Sequence, residues 1–183
     1  MELEEEISAA RAAAAQYADD GEELVGVVPS EPGDGHRVYL CAYQSEGDPS
    51  WIALDETGTP VADPALVRDA VSIAALCELA EENAGGRDLG ELRARLVELR
   101  LTENPEGIEE AEQAAAELQA TIAPPPRVAT LAYLDAIGRA VARLEQALGE
   151  VGGSPFAVAM KSGIAAADDL AAKVERSYKA ARA

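Results

Sequence analysis

The sequence has few of the side chains that catalytic and metal sites require. Its 183 residues include one histidine, His36, and two cysteines, Cys41 and Cys77. The cysteines lie far apart in apolar patterns, so neither a disulfide framework nor a zinc site is indicated. His36 and Cys41 are separated by roughly 16 Å if the segment is an extended strand. We therefore expect core thiols, a surface turn residue at His36, and no catalytic group, metal or cofactor.

Positive charge is also scarce. Lys and Arg number 15 against 34 Asp and Glu, which gives a formal net charge of −19 at pH 7. A field of this sign repels nucleic-acid phosphates and anionic lipid headgroups unless a local basic patch overrides it, and the basic residues are scattered singly. We expect no nucleic-acid partner and no membrane partner. A basic protein partner is electrostatically possible.

Long apolar runs are missing as well. No uncharged apolar stretch approaches the roughly 20 residues that a membrane helix needs. The first residues read MELEEE, which differs from the positively charged start of a secretory signal. Together with two unpaired thiols, these features predict a cytoplasmic protein.

Aromatic residues make up only 4% of the chain, whereas apolar residues make up 48%. Apolar positions from Leu3 onward recur at helical spacing and predict a helix to about Ala18. Three segments of period two, LVGVV, RVYLCAY and SWIAL, then predict an antiparallel meander. About five helices follow, the first opening at Asp63 and Pro64. The fold class predicted is α+β, with an N-terminal helix and a three-stranded meander before a mainly helical bundle.

Two of the predicted helices carry a narrow apolar stripe. The first opens near Asp88 and has leucines at 89, 92, 96 and 99, and the second opens at Asn104 with Pro105. We expect the outer faces of both helices to be solvated.

A run of three prolines, Pro124 to Pro126, is typical of a stiff extended connector. It divides the chain into a predicted domain over 1–123 and a helical hairpin over 127–183. Two helices alone bury too little apolar surface to be stable, so we expect the hairpin to dock on the first domain or to dimerise. Its second helix is predicted from Phe156 to Tyr178.

The two faces of the second predicted strand carry different kinds of side chain. Its alternation places Val38, Leu40 and Ala42 on one face and Tyr39, Cys41 and Tyr43 on the other. A hairpin register that pairs Tyr43 with Trp51 gathers the aromatic residues on one face, and this is the register we predict. The candidate ligand-binding or partner-binding residues are Tyr39, Tyr43, Trp51 and Arg37. The alternative is that the first helix or the C-terminal hairpin covers this face as a second core layer.

A carboxylate metal site is the remaining enzymatic possibility. Glu78, Glu81 and Glu82 are its only candidates, and the second carboxylate pair that such hydrolases use is missing downstream. We expect these residues to form the solvated end of a helix.

The sequence predicts many apolar helical stripes that could pack against a partner, but no cluster of polar side chains suited to catalysis. This combination favours a non-catalytic interaction, assembly or chaperone-like protein. It would act through helical stripes and the aromatic sheet face, with a protein partner or a second copy in a homodimer. The rival prediction is a small-molecule-binding protein or enzyme with a pocket between sheet and helices.

Overall fold

The computed structural model describes residues 3–33, 35–45, 49–84 and 87–151. Within these ranges the elements are, in chain order, α1 (Leu3–Ala14), β1 (Glu23–Gly33), β2 (His36–Gln44), β3 (Ser50–Leu54), α2 (Pro64–Ala84), α3 (Arg87–Thr102), α4 (Ile108–Ile122), β4 (Ala129–Thr130) and α5 (Leu131–Val151). The α+β class is confirmed, with an N-terminal helix and strands before a helical region. The helix predicted from Phe156 lies outside the described residues.

The described residues divide into two units. The first contains residues 3–75 and 127–131, and the second contains 76–126 and 132–151. The first division falls inside α2, and the next one directly follows the proline run. The first unit therefore holds α1 and the whole sheet, and the second holds α3, α4 and most of α5.

Local sequence signals explain where the helices begin and end. Asp63 caps α2, because its carboxylate accepts a hydrogen bond of 2.9 Å from the backbone N–H of Ala65. The prediction that Asn104 opens the next helix is wrong. Asn104 has a φ of 44° and its N–H bonds to the carbonyl of Leu99, so it ends α3. Asparagine tolerates this left-handed conformation better than most residues, and α4 begins after Gly107 instead.

The sheet contains four strands in the order β3-β2-β1-β4. The predicted antiparallel meander forms the first three of them. The fourth strand was not predicted: β4 pairs in parallel with β1, at Ser30 and Glu31. Its two residues are too few to show any alternation in the sequence.

The predicted register between β2 and β3 is wrong by one residue. Trp51 pairs with Ala42, and Tyr43 pairs with Ser50. A shift of one residue moves every side chain of a strand to the other face, because the side-chain period is two. Trp51 therefore lies on the face opposite Tyr39 and Tyr43.

The sequence of β1 is compatible with two uninterrupted alternations, which place either Leu24 and Val28 or Val25 and Val27 on the aliphatic face, and a bulge breaks both of them. Leu24 pairs with Tyr43 and Gly26 with Ala42, which leaves Val25 as the extra residue. The bulge interrupts the alternation, so that Leu24 and Val27 pack on the same face as Tyr43. Neither uninterrupted pattern is followed.

The two faces of the sheet are covered by different helices of the first unit. On one face α1 packs on Tyr39, Cys41, Tyr43 and Leu54. On the other face the first part of α2 packs on Val38 and Ala53, with Leu40 and Trp51 partly buried. The buried Ser30 Oγ donates a hydrogen bond of 2.8 Å to the carbonyl of Ala70 on this side.

The core of the second unit is built from leucine, isoleucine and alanine. Helix α3 contributes its predicted leucine stripe to this core. Leu89 and Leu96 are buried, and Leu92 and Leu99 pack against the core while partly exposed. The helices α4 and α5 supply the facing residues Ile108, Ala111, Ala114, Ala115, Leu118, Ile122, Ile137, Val141, Leu144, Ala147 and Leu148.

Candidate functional site

The two predicted site tyrosines are core residues under α1. Tyr39 is 1% exposed and Tyr43 is 3% exposed. The Tyr43 hydroxyl donates a hydrogen bond of 2.7 Å to the carbonyl of Ala14, and burial raises the pKa of Tyr43 to about 12. The Tyr39 hydroxyl donates one of 2.8 Å to Glu6. The face that carries them is therefore the second core layer that the sequence left open as an alternative.

Arg37 is held in place by two carboxylates of its own unit. Its guanidinium forms ion pairs with Glu6 of α1 and Glu31 of β1. Glu6 accepts hydrogen bonds from Tyr39 and Arg37, which lower the pKa of its carboxyl against the opposing effect of burial. Arg37 and Tyr39 thus share one carboxylate and connect α1 to β2. The predicted set of Tyr39, Tyr43, Trp51 and Arg37 does not converge on one surface, because Trp51 lies on the opposite face.

His36 lines a small cavity in the first unit. The cavity has a volume of about 210 Å³, and its wall also includes Val38, Asp55, Glu56, Val61 and Leu66. Asp55 is occupied by its own turn, since it accepts hydrogen bonds from the N–H groups of Thr57 and Thr59 at 2.8 and 3.0 Å. The cavity is smaller than a typical ligand pocket, which has a volume of roughly 300–1,000 Å³.

Both cysteines are buried free thiols. Burial raises the pKa of Cys41 to about 11, so its reactive thiolate form is scarce at neutral pH. Cys77 lies in the second unit and is 3% exposed.

The three candidate metal ligands of α2 do not converge. Glu78 and Glu82 are exposed, whereas Glu81 is partly buried beside Tyr133. Burial raises the pKa of the Glu81 carboxyl, although the neighbouring Tyr133 hydroxyl opposes the shift. Within the described ranges, no group of three His, Cys, Asp or Glu side chains is placed to hold a metal ion.

A shallow groove of about 460 Å³ runs between α4 and α5. Arg143 crosses it and forms an ion pair with Glu117. The other lining residues are Ala120, Thr121, Ala136, Arg139 and Ala140. The groove is open, and two of its four polar or charged lining side chains, Arg143 and Glu117, are paired with each other.

The outer face of α3 was not predicted as a site. Gly90, Ala94, Val97 and Leu101 follow one another at spacings of four, three and four, and all of them are exposed. Leu101 is 74% exposed, the highest value among the large apolar side chains of the described residues, and Val97 is 41% exposed. We call these four residues the outer stripe of α3. Its spacing is visible in the sequence, but the stronger leucine stripe on the opposite face of the same helix obscured it.

Charged residues flank the outer stripe in an ordered way. Glu91 and Glu98 border it on one side, and Arg93 and Arg100 border it on the other. Arg100 forms an ion pair of 2.8 Å with Glu112 of α4. Arg93 donates a hydrogen bond to the side-chain oxygen of Gln119, which is a neutral partner. The stripe is therefore apolar along its centre and carries opposite charges on its two borders.

The chain matches no family model, no curated protein and no solved structure. Among the described residues, no helix combines the length and apolarity that crossing a bilayer requires.

Proposed function

We propose that this protein is a non-catalytic interaction or assembly protein that acts through the outer stripe of α3. The observation that carries the proposal is the exposure of Val97 and Leu101 at heptad spacing on one helix face. An apolar stripe of this spacing packs against a second helix, because successive side chains fit between those of the partner. Exposed apolar surface of this kind, bordered by charges, is typical of association surfaces.

The aromatic face of the sheet supports this function less well. Tyr39 and Tyr43 are covered by α1 and cannot reach a partner without local unfolding. Trp51 is partly buried on the other face, and Arg37 is bound to two carboxylates of its own unit. A small-molecule site built from these four residues would need them to converge, so we favour the helical surface.

The partner we propose is a protein in the cytoplasm. The net charge of −19 disfavours nucleic acid and anionic membranes, and the two free thiols suit a reducing compartment. Both charge signs border the outer stripe, so the surface of the partner should also carry both signs.

Site-specific photo-cross-linking tests the proposal in the cells that produce the protein. Ala94 is replaced by a photoreactive benzoylphenylalanine, and Gln113, an exposed residue of α4, carries the same group as a matched control. We expect position 94 to give a discrete adduct that disappears when Val97→Glu is also present. Equal adduct formation at both positions, or none at position 94, would contradict the proposal.

A further inference from the structure

We infer that the outer stripe of α3 binds a second copy of this chain, with the two α3 helices parallel. The inference rests on the proposed function, and it adds the identity and the direction of the partner helix. The supporting observation is that one border of the stripe is acidic and the other is basic.

The residues of α3 fit one heptad register. Ala94 and Leu101 occupy a positions, and Gly90 and Val97 occupy d positions, so that the stripe is the a and d seam. The e positions are then Glu91 and Glu98, and the g positions are Arg93 and Arg100. The leucines that pack in the core of the second unit fall at c and f, on the opposite side of the helix. The leucine side of α3 therefore packs in its own unit, whereas the a and d positions are exposed to solvent.

The charged borders distinguish the two possible directions of a second α3 helix. In a parallel pair, the g side of each helix lies against the e side of its partner. Arg93 of one copy then lies opposite Glu98 of the other, and the two-fold symmetry repeats this contact. In an antiparallel pair, g lies against g and e against e. Arginine would then oppose arginine and glutamate would oppose glutamate, which is unfavourable.

The charges needed for the parallel pair are available within each copy. Neither Arg93 nor Glu98 forms an ion pair with another residue of the described ranges. Arg93 donates a hydrogen bond to the neutral Gln119. Arg100 pairs with Glu112 of its own copy, and the e position that it would face in a parallel partner lies beyond the end of α3. The small residues at 90 and 94 let two backbones approach closely, and Val97 and Leu101 supply the apolar contact.

Engineered disulfides test the direction of the pair in the full chain. A disulfide requires Cα atoms within about 7 Å, a condition that equivalent a positions meet only in the parallel arrangement. We expect Ala94→Cys to form a covalent dimer in a glutathione redox buffer, whereas a mixture of Ala94→Cys and Val97→Cys gives little mixed product. The native Cys41 and Cys77 are buried and do not compete. Gln113→Cys is the exposed control.

Charge exchange tests the ion pairs independently. Arg93→Glu alone and Glu98→Arg alone each place like charges across the pair, and each should raise the dissociation constant about tenfold. Mixing the two variants restores both attractive contacts, so the mixed dimer should form with near wild-type affinity.

The outcomes separate this inference from the proposed function. Preferential formation of the mixed 94–97 disulfide, no disulfide at position 94 beyond the control, or no recovery on mixing the charge variants would overturn the parallel pair. If the photo-cross-linked adduct at position 94 then contains another protein, the proposed function stands and only the identity of the partner is wrong. If no adduct forms, both fail.

Discussion

The turn after β3 gives the sharpest test of how α1 packs on the sheet. Gly58 has a φ of +79°, and a Cβ atom placed on it would lie 2.7 Å from the Cβ of Ala13. The left-handed backbone costs a residue with a side chain about 1–2 kcal/mol. The overlap with Ala13 adds about 1–3 kcal/mol, the usual cost of overpacking. We expect Gly58→Ala to lower the free energy of unfolding by about 3 kcal/mol.

Gly35 is a matched control for the backbone contribution. Its φ is +72°, and a Cβ atom there would meet nothing within 4 Å. Gly35→Ala should therefore cost only the backbone penalty of about 1–2 kcal/mol. The difference between the two variants, about 2 kcal/mol, measures the contact between the turn and α1.

Urea unfolding followed by tryptophan fluorescence is the appropriate assay. Trp51 is the only tryptophan and lies in the first unit, so its signal reports the unit in which both glycines lie. Adding Ala13→Gly to Gly58→Ala should recover part of the lost stability, because it removes the methyl group that the new side chain meets. Equal losses at positions 58 and 35, with no recovery from Ala13→Gly, would refute the packing of α1 against this turn.

Two further substitutions test individual buried groups. Tyr43→Phe leaves the carbonyl of Ala14 without its phenolic donor and should lower the free energy of unfolding by about 1–2 kcal/mol in the same urea assay; an unchanged midpoint would show that this bond contributes nothing. Burial raises the pKa of Glu81 in the folded protein, so the ionised carboxylate opposes folding. The stability that this carboxyl contributes is therefore fully present below the pKa of the unfolded chain. It is lost as the pH rises through the pKa of the folded protein. Glu81→Gln should therefore raise the melting temperature at pH 7, with a gain over wild type that shrinks toward pH 4, measured by circular dichroism; a gain that grows on acidification would contradict the raised pKa.

Much of the fold follows from local patterns in the sequence. The change from helical spacing to alternation marks the passage from α1 to the sheet, and the Asp63 cap marks the start of α2. Alternation within β2 correctly separates Tyr39, Cys41 and Tyr43 from Val38 and Leu40. These signals are local, and each can be recognised within a single segment.

The elements that were not predicted depend on relations between segments. The register of β3 against β2 is set by the intervening turn, and a shift of one residue was enough to move Trp51 to the other face. The bulge at Val25 and the pairing of β4 with β1 likewise need the neighbouring strand to be known. The same assumed register placed Trp51 beside Tyr39 and Tyr43 in the candidate set, whereas the observed pairing puts it on the opposite face of the sheet.

The outer stripe of α3 illustrates a different limit. Its spacing is present in the sequence, but a helix with two apolar stripes does not indicate which of them its own core covers. The leucine stripe is the larger, and it packs against α4 and α5. The exposure of Val97 and Leu101 could be established only from the packed structure.

Sedimentation velocity of the full chain tests most directly whether two copies associate through the outer stripe of α3. The wild-type protein should sediment as a species of twice the 19.1 kDa chain mass at high concentration and should dissociate on dilution. Val97→Glu should remain at the mass of one chain at all concentrations. Leu131→Glu, at a residue of similar exposure outside the stripe, should behave as wild type. A wild-type protein that stays at 19.1 kDa throughout, or a Val97→Glu variant that associates as the wild type does, would contradict the proposed association.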